Sequence, residues 1–220
     1  MKKPVVSLLC LLLGLFYSAL VLAGAAEQQL EKFFKQVRSM RAEFTQTVMN
    51  DNKRSVEKSQ GVLQMQRPGK FHWKYQTPYE QQIVANGKKL WIYDVEMEQV
   101  IVKNLDLALG DTPAVLLSGD ANIADRFEIK EITENMPGEA GLFWLQLTPK
   151  QQEAGFEKLL LAFSAGNLQI MELKDSFGQV TRITFSHLEQ NPVINPSVFN
   201  FVPPAGVDVI NETDGPENNR

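Results

Sequence analysis

The stretch QRPGKFHWKY, residues 66–75, decides the fold because it joins a turn to an aromatic strand. A Pro-Gly break follows Arg67 and precedes three aromatic residues at alternate positions. Since side chains alternate between the faces of a strand, the pattern predicts one broad aromatic face. That face consists of Phe71, Trp73 and Tyr75. On the pattern alone, it is either ordinary core under a helix or the wall of a binding cavity, and Arg67 is either a surface residue or a switch at its edge.

Runs with the same two-residue period occupy most of the chain. The first begins at Arg41 and ends at a polar turn over 50–53. Further strand-like runs are predicted at about 60–67, 70–76, 81–85, 88–94, 98–104, 127–133, 142–148, 156–164, 168–174, 180–187 and 198–202. Ten or eleven strands joined by short turns predict a large antiparallel sheet. A sheet of this size curls, closes or is covered on its concave face.

The Asn-Gly pair at 86–87 predicts a hairpin, because both residues accept positive φ in a two-residue loop. A loop of that length would place Ile83 opposite Leu90. Trp91 would lie on the other face of the hairpin. The apolar face would consist of Ile83, Leu90 and Ile92.

Two regions depart from the strand period and are predicted to be helical. Apolar residues recur at helical spacing over 27–40, which predicts an amphipathic helix. In the middle of the chain, Thr112 as N-cap and Pro113 at the first helical position predict a short apolar helix over 114–117. A further turn is predicted to run through Asp125. These pieces are too short to be stable alone, so we expect them to cover the sheet.

The ends of the chain differ from the middle. Residues 1–25 have the pattern of a cleaved signal peptide, with two lysines before an apolar run over 5–22 and a cleavage site after residue 23 or 25. We expect residues 26–209 to form one domain with a sizeable core. Residues 210–220 are predicted to be a polar disordered tail.

The composition excludes several classes of function. The only cysteine, Cys10, lies inside the predicted signal peptide, so the mature chain has no disulfide and no catalytic thiol, and Leu9 before it does not suit a lipidation site. A formal net charge of −4 does not fit a nucleic-acid binder. His72 and His187 are predicted to be solvated strand residues, and no phosphate-binding glycine loop is present. The sequence therefore predicts binding rather than catalysis, and no spacing of histidines and carboxylates suggests a metal site.

Five blocks of sequence together resemble the LolA family of periplasmic outer-membrane lipoprotein carriers. In chain order they are SMRAEFTQTV (39–48), GVLQMQRPGKFHWKY (61–75), NGKKLWIYD (86–94), GDTPAVLLSG (110–119) and FNFVPPAGVDV (199–209). The blocks occur in the order that the family has and cover nearly the whole predicted mature chain. FTQTV, RPGKFHW and FxFxPPxGV in succession make the combination specific.

The resemblance implies a mainly β fold with some α structure. This is an incomplete, unclosed antiparallel barrel of about 11 strands, with an N-terminal helix and short lid helices over a hydrophobic cavity. It also implies a monomeric periplasmic chaperone without enzymatic activity or cofactor. Such a chaperone accepts lipoproteins released from the inner membrane by the LolCDE complex and transfers them to LolB, the outer-membrane receptor.

The resemblance also implies roles for particular residues. Arg67 matches the family's latch, which holds the lid shut. Phe71 matches an aromatic residue at the cavity mouth, and Trp73 matches the cavity tryptophan. The residues expected to contact acyl chains are Phe71, Trp73, Tyr75, Ile83, Leu90, Ile92, Val115, Leu116 and Leu117.

Four alternatives stay open. A LolB-like receptor would carry a lipidated cysteine at its mature N-terminus, and an RseB-like sensor would carry a further domain. A general periplasmic lipid binder would differ only in its cargo. An enzyme on the same scaffold would need catalytic side chains that the sequence scarcely offers.

Overall fold

The computed structural model describes residues 24–52, 54–107, 117–119, 123–132, 139–150 and 156–213. These residues form one 12-stranded sheet and a helix, α1 (Ala25–Gln36). The strands are β1 (Ser39–Met49), β2 (Ser55–Gln66), β3 (Lys70–Thr77), β4 (Gln81–Asn86), β5 (Lys89–Asp94), β6 (Gln99–Asn104), β7 (Phe127–Ile132), β8 (Phe143–Pro149), β9 (Lys158–Ser164), β10 (Asn167–Lys174), β11 (Val180–Gln190) and β12 (Asp208–Glu212). Shorter pieces are α2 (Ile123–Arg126) and two 3₁₀ turns, Leu105–Leu107 and Pro196–Phe199.

The sheet is open, with the strand order β12-β6-β5-β4-β3-β2-β1-β11-β10-β9-β8-β7. Two meanders, β1 to β6 and β7 to β11, meet where β1 pairs with β11. All pairings are antiparallel except that of β12 with β6. The edges, β7 and β12, do not pair with each other, so the prediction of an unclosed, mainly antiparallel sheet is confirmed.

A glycine allows the centre of the sheet to pack closely. Gly61 in β2 lies opposite Phe44 of β1 and Tyr75 of β3. A Cβ atom at Gly61 would lie 2.0 Å from the carbonyl oxygen of Lys74 and 2.8 Å from Cζ of Phe44. Only a residue without a side chain fits between that backbone and that ring.

The β4–β5 hairpin differs from its predicted register. Ala85 pairs with Leu90 and Ile83 pairs with Ile92, so the loop is Gly87-Lys88 and the predicted Ile83–Leu90 pair is wrong by two positions. Oδ1 of Asn86 accepts hydrogen bonds of 3.0 Å from the backbone N–H groups of both Lys88 and Lys89, which moves the turn forward. Because the shift is even, the predicted apolar face is unchanged.

The two ends of the described chain also differ from prediction. The helix predicted over 27–40 ends at Gln36, and the predicted strand at 198–202 is absent because Pro196–Phe199 forms a 3₁₀ turn. The prediction of a disordered tail from 210 is wrong for its first residues, which belong to β12. Residues 214–220 and the predicted signal-peptide residues 1–23 lie outside the described residues.

The core lies between the sheet and α1. Helix α1 buries residues at helical spacing, and these pack over β8, β9 and β10. The buried helix residues are Ala26, Leu30, Phe33 and Phe34. A smaller cluster of Trp144, Ala162 and Ile170 is separate from this core. In the part of the chain that the structure describes, no helix is long and apolar enough to span a membrane.

Candidate functional site

The aromatic strand forms part of a wall inside the sheet. Phe71 and Trp73 in β3 are 0% and 1% exposed. The indole of Trp73 packs against Phe44, with ring centroids 4.7 Å apart, and against Phe185, at 6.3 Å. β1 and β11 supply these two neighbours, so the pairing of the two meanders completes the wall.

Tyr75 lies at the outer end of this wall. Its ring meets Phe44 edge-on, with centroids 5.2 Å apart, and its hydroxyl donates a 3.0 Å hydrogen bond to Oε1 of Gln46. Burial raises the pKa of Tyr75, although the hydrogen bond to Gln46 opposes this. The hydroxyl is therefore a neutral, satisfied group in an apolar setting.

The structure brings the predicted acyl-contact residues together wherever it describes them. Five belong to one buried cluster, namely Phe71, Trp73, Ile83, Leu90 and Leu117. Tyr75 and Ile92 are partly buried and pack against that cluster. Val115 and Leu116 lie outside the described residues.

Arg67, at the end of β2, links three parts of the chain. Its guanidinium donates hydrogen bonds to the carbonyl oxygens of Phe33, at 3.2 Å, and Val37 at the end of α1. A third bond, of 2.8 Å, reaches the carbonyl oxygen of Leu117. The rings of Phe33 and Phe34 lie 5.0 Å and 4.6 Å from the guanidinium carbon, within the range of cation–π attraction.

The charge of Arg67 is stabilised by carbonyl groups. The last carbonyls of a helix lack partners within it and carry partial negative charge, so they suit a cation. Burial, and to a lesser degree the nearby positive charge of Arg38, lowers the pKa of Arg67 to about 10. The side chain therefore stays charged at neutral pH, and its forked donors can hold several carbonyls at once.

Two further residues, Gly69 and Asn191, contribute contacts where the end of α1 and the segment 117–119 meet the sheet. Neither is among the site residues predicted from the sequence. The backbone N–H of Gly69 donates a 2.8 Å bond to the carbonyl of Ser118, next to the Leu117 carbonyl that Arg67 binds. Gly69 has φ = 65°, which favours glycine. The Pro-Gly pair signals that turn, but nothing in it indicates the contact with 117–119.

Asn191 holds the connection between α1 and β1. Its Oδ1 accepts a 2.7 Å hydrogen bond from the backbone N–H of Arg38, and its Nδ2 donates a 3.1 Å bond to the carbonyl of Gln36. Its own backbone N–H donates to the carbonyl of Ser39 at 2.8 Å. The Asn-Pro pair at 191–192 signals a turn after β11, but a contact with residues about 150 positions earlier is not visible in it.

A groove of about 440 Å³ runs between α1, α2 and the edge strand β7. Among the residues that the structure describes, those that line it are Glu27, Leu30, Glu31, Phe34, Lys35, Ile123, Ala124 and Ile129. Leu30 and Phe34 also belong to the core cluster, and Ile123 and Ile129 pack against it. The groove therefore reaches the core beside the edge strand β7.

The two histidines are each engaged with a neighbouring side chain. Nε2 of His72 lies 3.2 Å from Oε1 of Gln82, and burial lowers the pKa of His72. Nδ1 of His187 lies 3.0 Å from Oε2 of Glu43 at the surface. Within the described ranges, no group of three or more His, Cys, Asp or Glu side chains is placed to hold a metal ion.

Comparison with known proteins identifies the family. The sequence model of one family, described as Outer membrane lipoprotein carrier protein LolA, matches residues 35–202. The chain belongs to the LolA family. The outer-membrane lipoprotein carrier protein of Dechloromonas aromatica is similar, with 44% identity over 191 residues, 86% of this chain and 89% of that protein. The protein of the same name from Nitrosospira multiformis is 46% identical over 184 residues, 83% of this chain and 87% of its own.

A solved structure agrees at the level of the fold. An uncharacterized conserved protein from Thermus thermophilus superposes with a TM-score of 0.55, covering 86% of this chain and 99% of that chain. The two are 12% identical, so the likeness shows a shared fold alone. The resemblance to the LolA family inferred from the five sequence blocks is thus confirmed by sequence relatives. Those relatives are named as carriers and not as enzymes.

Proposed function

We propose that this LolA-family protein is a periplasmic chaperone that shields the acyl chains of lipoproteins on their way to the outer membrane. Similar proteins are named as lipoprotein carriers, which supports this role. The structural observation that carries the proposal is the link made by Arg67. Arg67 binds carbonyl groups of both α1 and the segment 117–119, beside the buried apolar cluster that contains Phe71 and Trp73.

The physical need for such a carrier is large. Transfer of each methylene of an acyl chain from water to an apolar environment is favourable by about 0.8 kcal/mol of free energy. An unshielded lipoprotein would therefore aggregate or return to the nearest membrane. The apolar cluster that contains Trp73 offers the surface that acyl chains require.

A carrier must also release its cargo, and Arg67 supplies a reason for moderate affinity. In the present state the wall is closed, since Phe71 and Leu117 are fully buried. Acyl chains can reach it only if α1 or the segment 117–119 moves, which breaks hydrogen bonds of Arg67. The free energy of these bonds is subtracted from that of binding, so the empty closed state competes with the loaded state.

The finer assignments belong to the same proposal. Residues 1–25 direct export to the periplasm and are removed, and the mature monomer accepts cargo from the LolCDE complex and delivers it to LolB. The acyl chains contact the predicted wall residues, while Arg67 acts as the latch. The family membership of the chain and the signal-peptide pattern support these assignments.

Mass spectrometry of the protein purified from the periplasm tests the proposal. We expect triacylated lipoprotein to co-purify with it, and to pass to purified receptor when the two are mixed. Recovery of phospholipid alone would instead identify a general lipid binder and contradict the carrier role.

A further inference from the structure

We propose that the free edge of β7 binds the polypeptide of the cargo as an added β-strand. This inference rests on the proposed carrier function and adds to it a contact with the peptide of the lipoprotein rather than with its acyl chains. β7 is one edge of the open sheet, and β8 is its only neighbour in the strand order of the described residues. Such an edge presents backbone N–H and C=O groups that an extended peptide can pair with.

The hydrogen bonds between β7 and β8 show which backbone groups face outward. The N–H of Lys150 donates a 2.9 Å bond to the carbonyl of Arg126, one residue before β7. Since bonded and non-bonded pairs alternate along an antiparallel ladder, every second residue of β7 bonds to β8, and the residues between face the free edge. Pro149, opposite Phe127, fits this alternation because it has no N–H to donate. The outward-facing residues are Phe127, Ile129 and Glu131.

These outward groups are available to a peptide. Phe127, Ile129 and Glu131 each carry one backbone N–H and one C=O group. Within the described ranges, no hydrogen bond joins these groups to another residue of the chain. An extended peptide laid along β7 can therefore pair with donors and acceptors that otherwise face water.

β7 borders the core, whereas the edge strand on the other side of the sheet does not. The side chain of Phe127 belongs to the core cluster, and Ile129 packs against that cluster and lines the groove. All five residues of β12 are exposed. Under the proposed function, acyl chains that reach the core beside β7 leave their polypeptide at this edge, so the added strand would continue directly from the buried acyl chains.

Strand addition suits a carrier of several different lipoproteins. Pairing through the backbone does not depend on side chains, so one edge can hold peptides of different sequence. The outer side chains of β7 include Glu128 and Lys130, which are exposed and of opposite charge. Charged side chains on an edge also oppose the pairing of two such edges in solution. The edge therefore favours an extended polar peptide without a fixed sequence.

Amide hydrogen exchange measured by NMR tests the added strand residue by residue. The probe is a synthetic triacylated lipopeptide whose cysteine is followed by six polar residues, the length of β7. At saturation, we expect exchange at the amides of Phe127, Ile129 and Glu131 to slow about tenfold or more, because the added strand protects them. The triacylated cysteine without the peptide should leave these three rates unchanged.

The edge strand β12 provides a matched control in the same protein. The N–H of Asp208 donates a 2.8 Å bond to the carbonyl of Glu98, so by the same alternation Val209 and Asn211 direct their N–H groups away from β6. Exchange at these two amides should not change with the lipopeptide or with the triacylated cysteine.

A second measurement removes donors from the peptide and leaves the protein unchanged. Two versions of the lipopeptide carry N-methyl groups at alternate residues, in one register or in the other. Only alternate residues of an added strand donate towards β7. One version should therefore bind about tenfold more weakly than the unmethylated lipopeptide, and the other should bind equally well.

The outcomes separate this inference from the proposed function. If the protein binds the lipopeptide while the three β7 amides stay unprotected and both N-methylated versions bind equally well, strand addition is wrong and the carrier function stands. Protection at Val209 and Asn211 instead of β7 would also contradict it. If the protein does not bind the lipopeptide, the carrier function fails and strand addition fails with it.

Discussion

At the C-terminal end of α1, Arg67 and Asn191 bind the last carbonyl groups of the helix, whereas the flank around Glu31 lines an open groove. The held end uses donors from the end of β2 and from the residue after β11. The flank has an exposed ion pair within the helix itself. The difference is that side chains from distant parts of the chain hold the C-terminal end of α1, whereas the ion pair on the flank joins two residues of the helix itself.

The two contacts at the held end are not equivalent. Arg67 joins α1 to the segment 117–119, while Asn191 joins α1 to the start of β1. If Arg67 releases its carbonyls, Asn191 still binds Gln36 and Arg38. Arg67 is therefore suited to be a latch, and Asn191 to be the fixed point about which the helix moves.

Replacing the latch is expected to have the largest effect. Arg67→Leu removes three hydrogen bonds and leaves carbonyls at the end of α1 and at Leu117 without this partner. Hydrogen bonds to a charged group are each worth about 1.5–3 kcal/mol, so loss of the closed state should strengthen retention of lipoprotein about tenfold or more and impair transfer to the receptor. Release of acylated cargo from purified protein to receptor measures this.

Arg38→Leu is the matched control for the latch variant. Arg38 is exposed and lies beside the same helix end, but the side-chain bonds to the carbonyls of Phe33, Val37 and Leu117 come from Arg67. Arg38→Leu should therefore transfer cargo as the wild type does. Transfer at the wild-type rate by Arg67→Leu would contradict the latch.

Replacing Asn191 should lower the free energy of unfolding and leave the transfer of cargo to the receptor unchanged. Asn191 has φ = 57°, a conformation that glycine adopts readily and alanine only at a cost in strain. Asn191→Gly should cost about 1–3 kcal/mol of unfolding free energy through the lost side-chain bonds, and Asn191→Ala about 1–2 kcal/mol more through strain. Urea unfolding measures both values.

A second exposed asparagine provides the comparison for Asn191. Asn200 follows the 3₁₀ turn and is exposed, so Asn200→Ala should leave the unfolding free energy nearly unchanged. Equal stability of Asn191→Gly and Asn191→Ala would show that the backbone at 191 is not strained. A stability equal to wild type in both would remove Asn191 as an anchor.

The aromatic face of β3 and the apolar face of the β4–β5 hairpin are predicted well from the sequence, because the patterns that indicate them involve neighbouring residues. The alternation of Phe71, Trp73 and Tyr75 is visible from residues only two positions apart. The apolar face of the β4–β5 hairpin is also predicted correctly, because the error in its register is two residues and an even shift leaves each side chain on the same face. Short-range periodicity carries this information directly. The arginine next to the Pro-Gly turn acquired a role only through the resemblance to a family.

The contacts at the held end could not be predicted from the residues because they join distant parts of the chain. Nothing around Asn191 indicates that its amide reaches Arg38, and nothing in β1 indicates that it pairs with β11. The polar sequence from residue 210 onward predicts a tail, although residues 210–212 belong to β12, because a strand whose five residues are all exposed lacks the apolar alternation that marks a buried strand. The groove, too, exists only when α1, α2 and β7 are placed together.

The flank of α1 should respond least to mutation. Glu31→Gln removes the ion pair with Lys35 but leaves the apolar lining of the groove in place. Because both side chains are largely exposed, water and salt already screen the pair, and the unfolding free energy should change by less than about 0.5 kcal/mol. Lipopeptide affinity should likewise stay within about twofold of wild type, since an alkyl chain binds the lining rather than the charges.

Fluorescence titration of wild type and Glu31→Gln with the lipopeptide, at low and at high salt, measures both affinities. If Glu31→Gln binds the lipopeptide much more weakly than wild type at low salt, and this difference disappears at high salt, then charge rather than the apolar lining determines binding at this flank. The reason is that salt screens exposed charges and leaves apolar burial in place. That result would contradict the proposed difference between the C-terminal end of α1, which controls release, and the flank around Glu31, which only provides an apolar surface for the acyl chain.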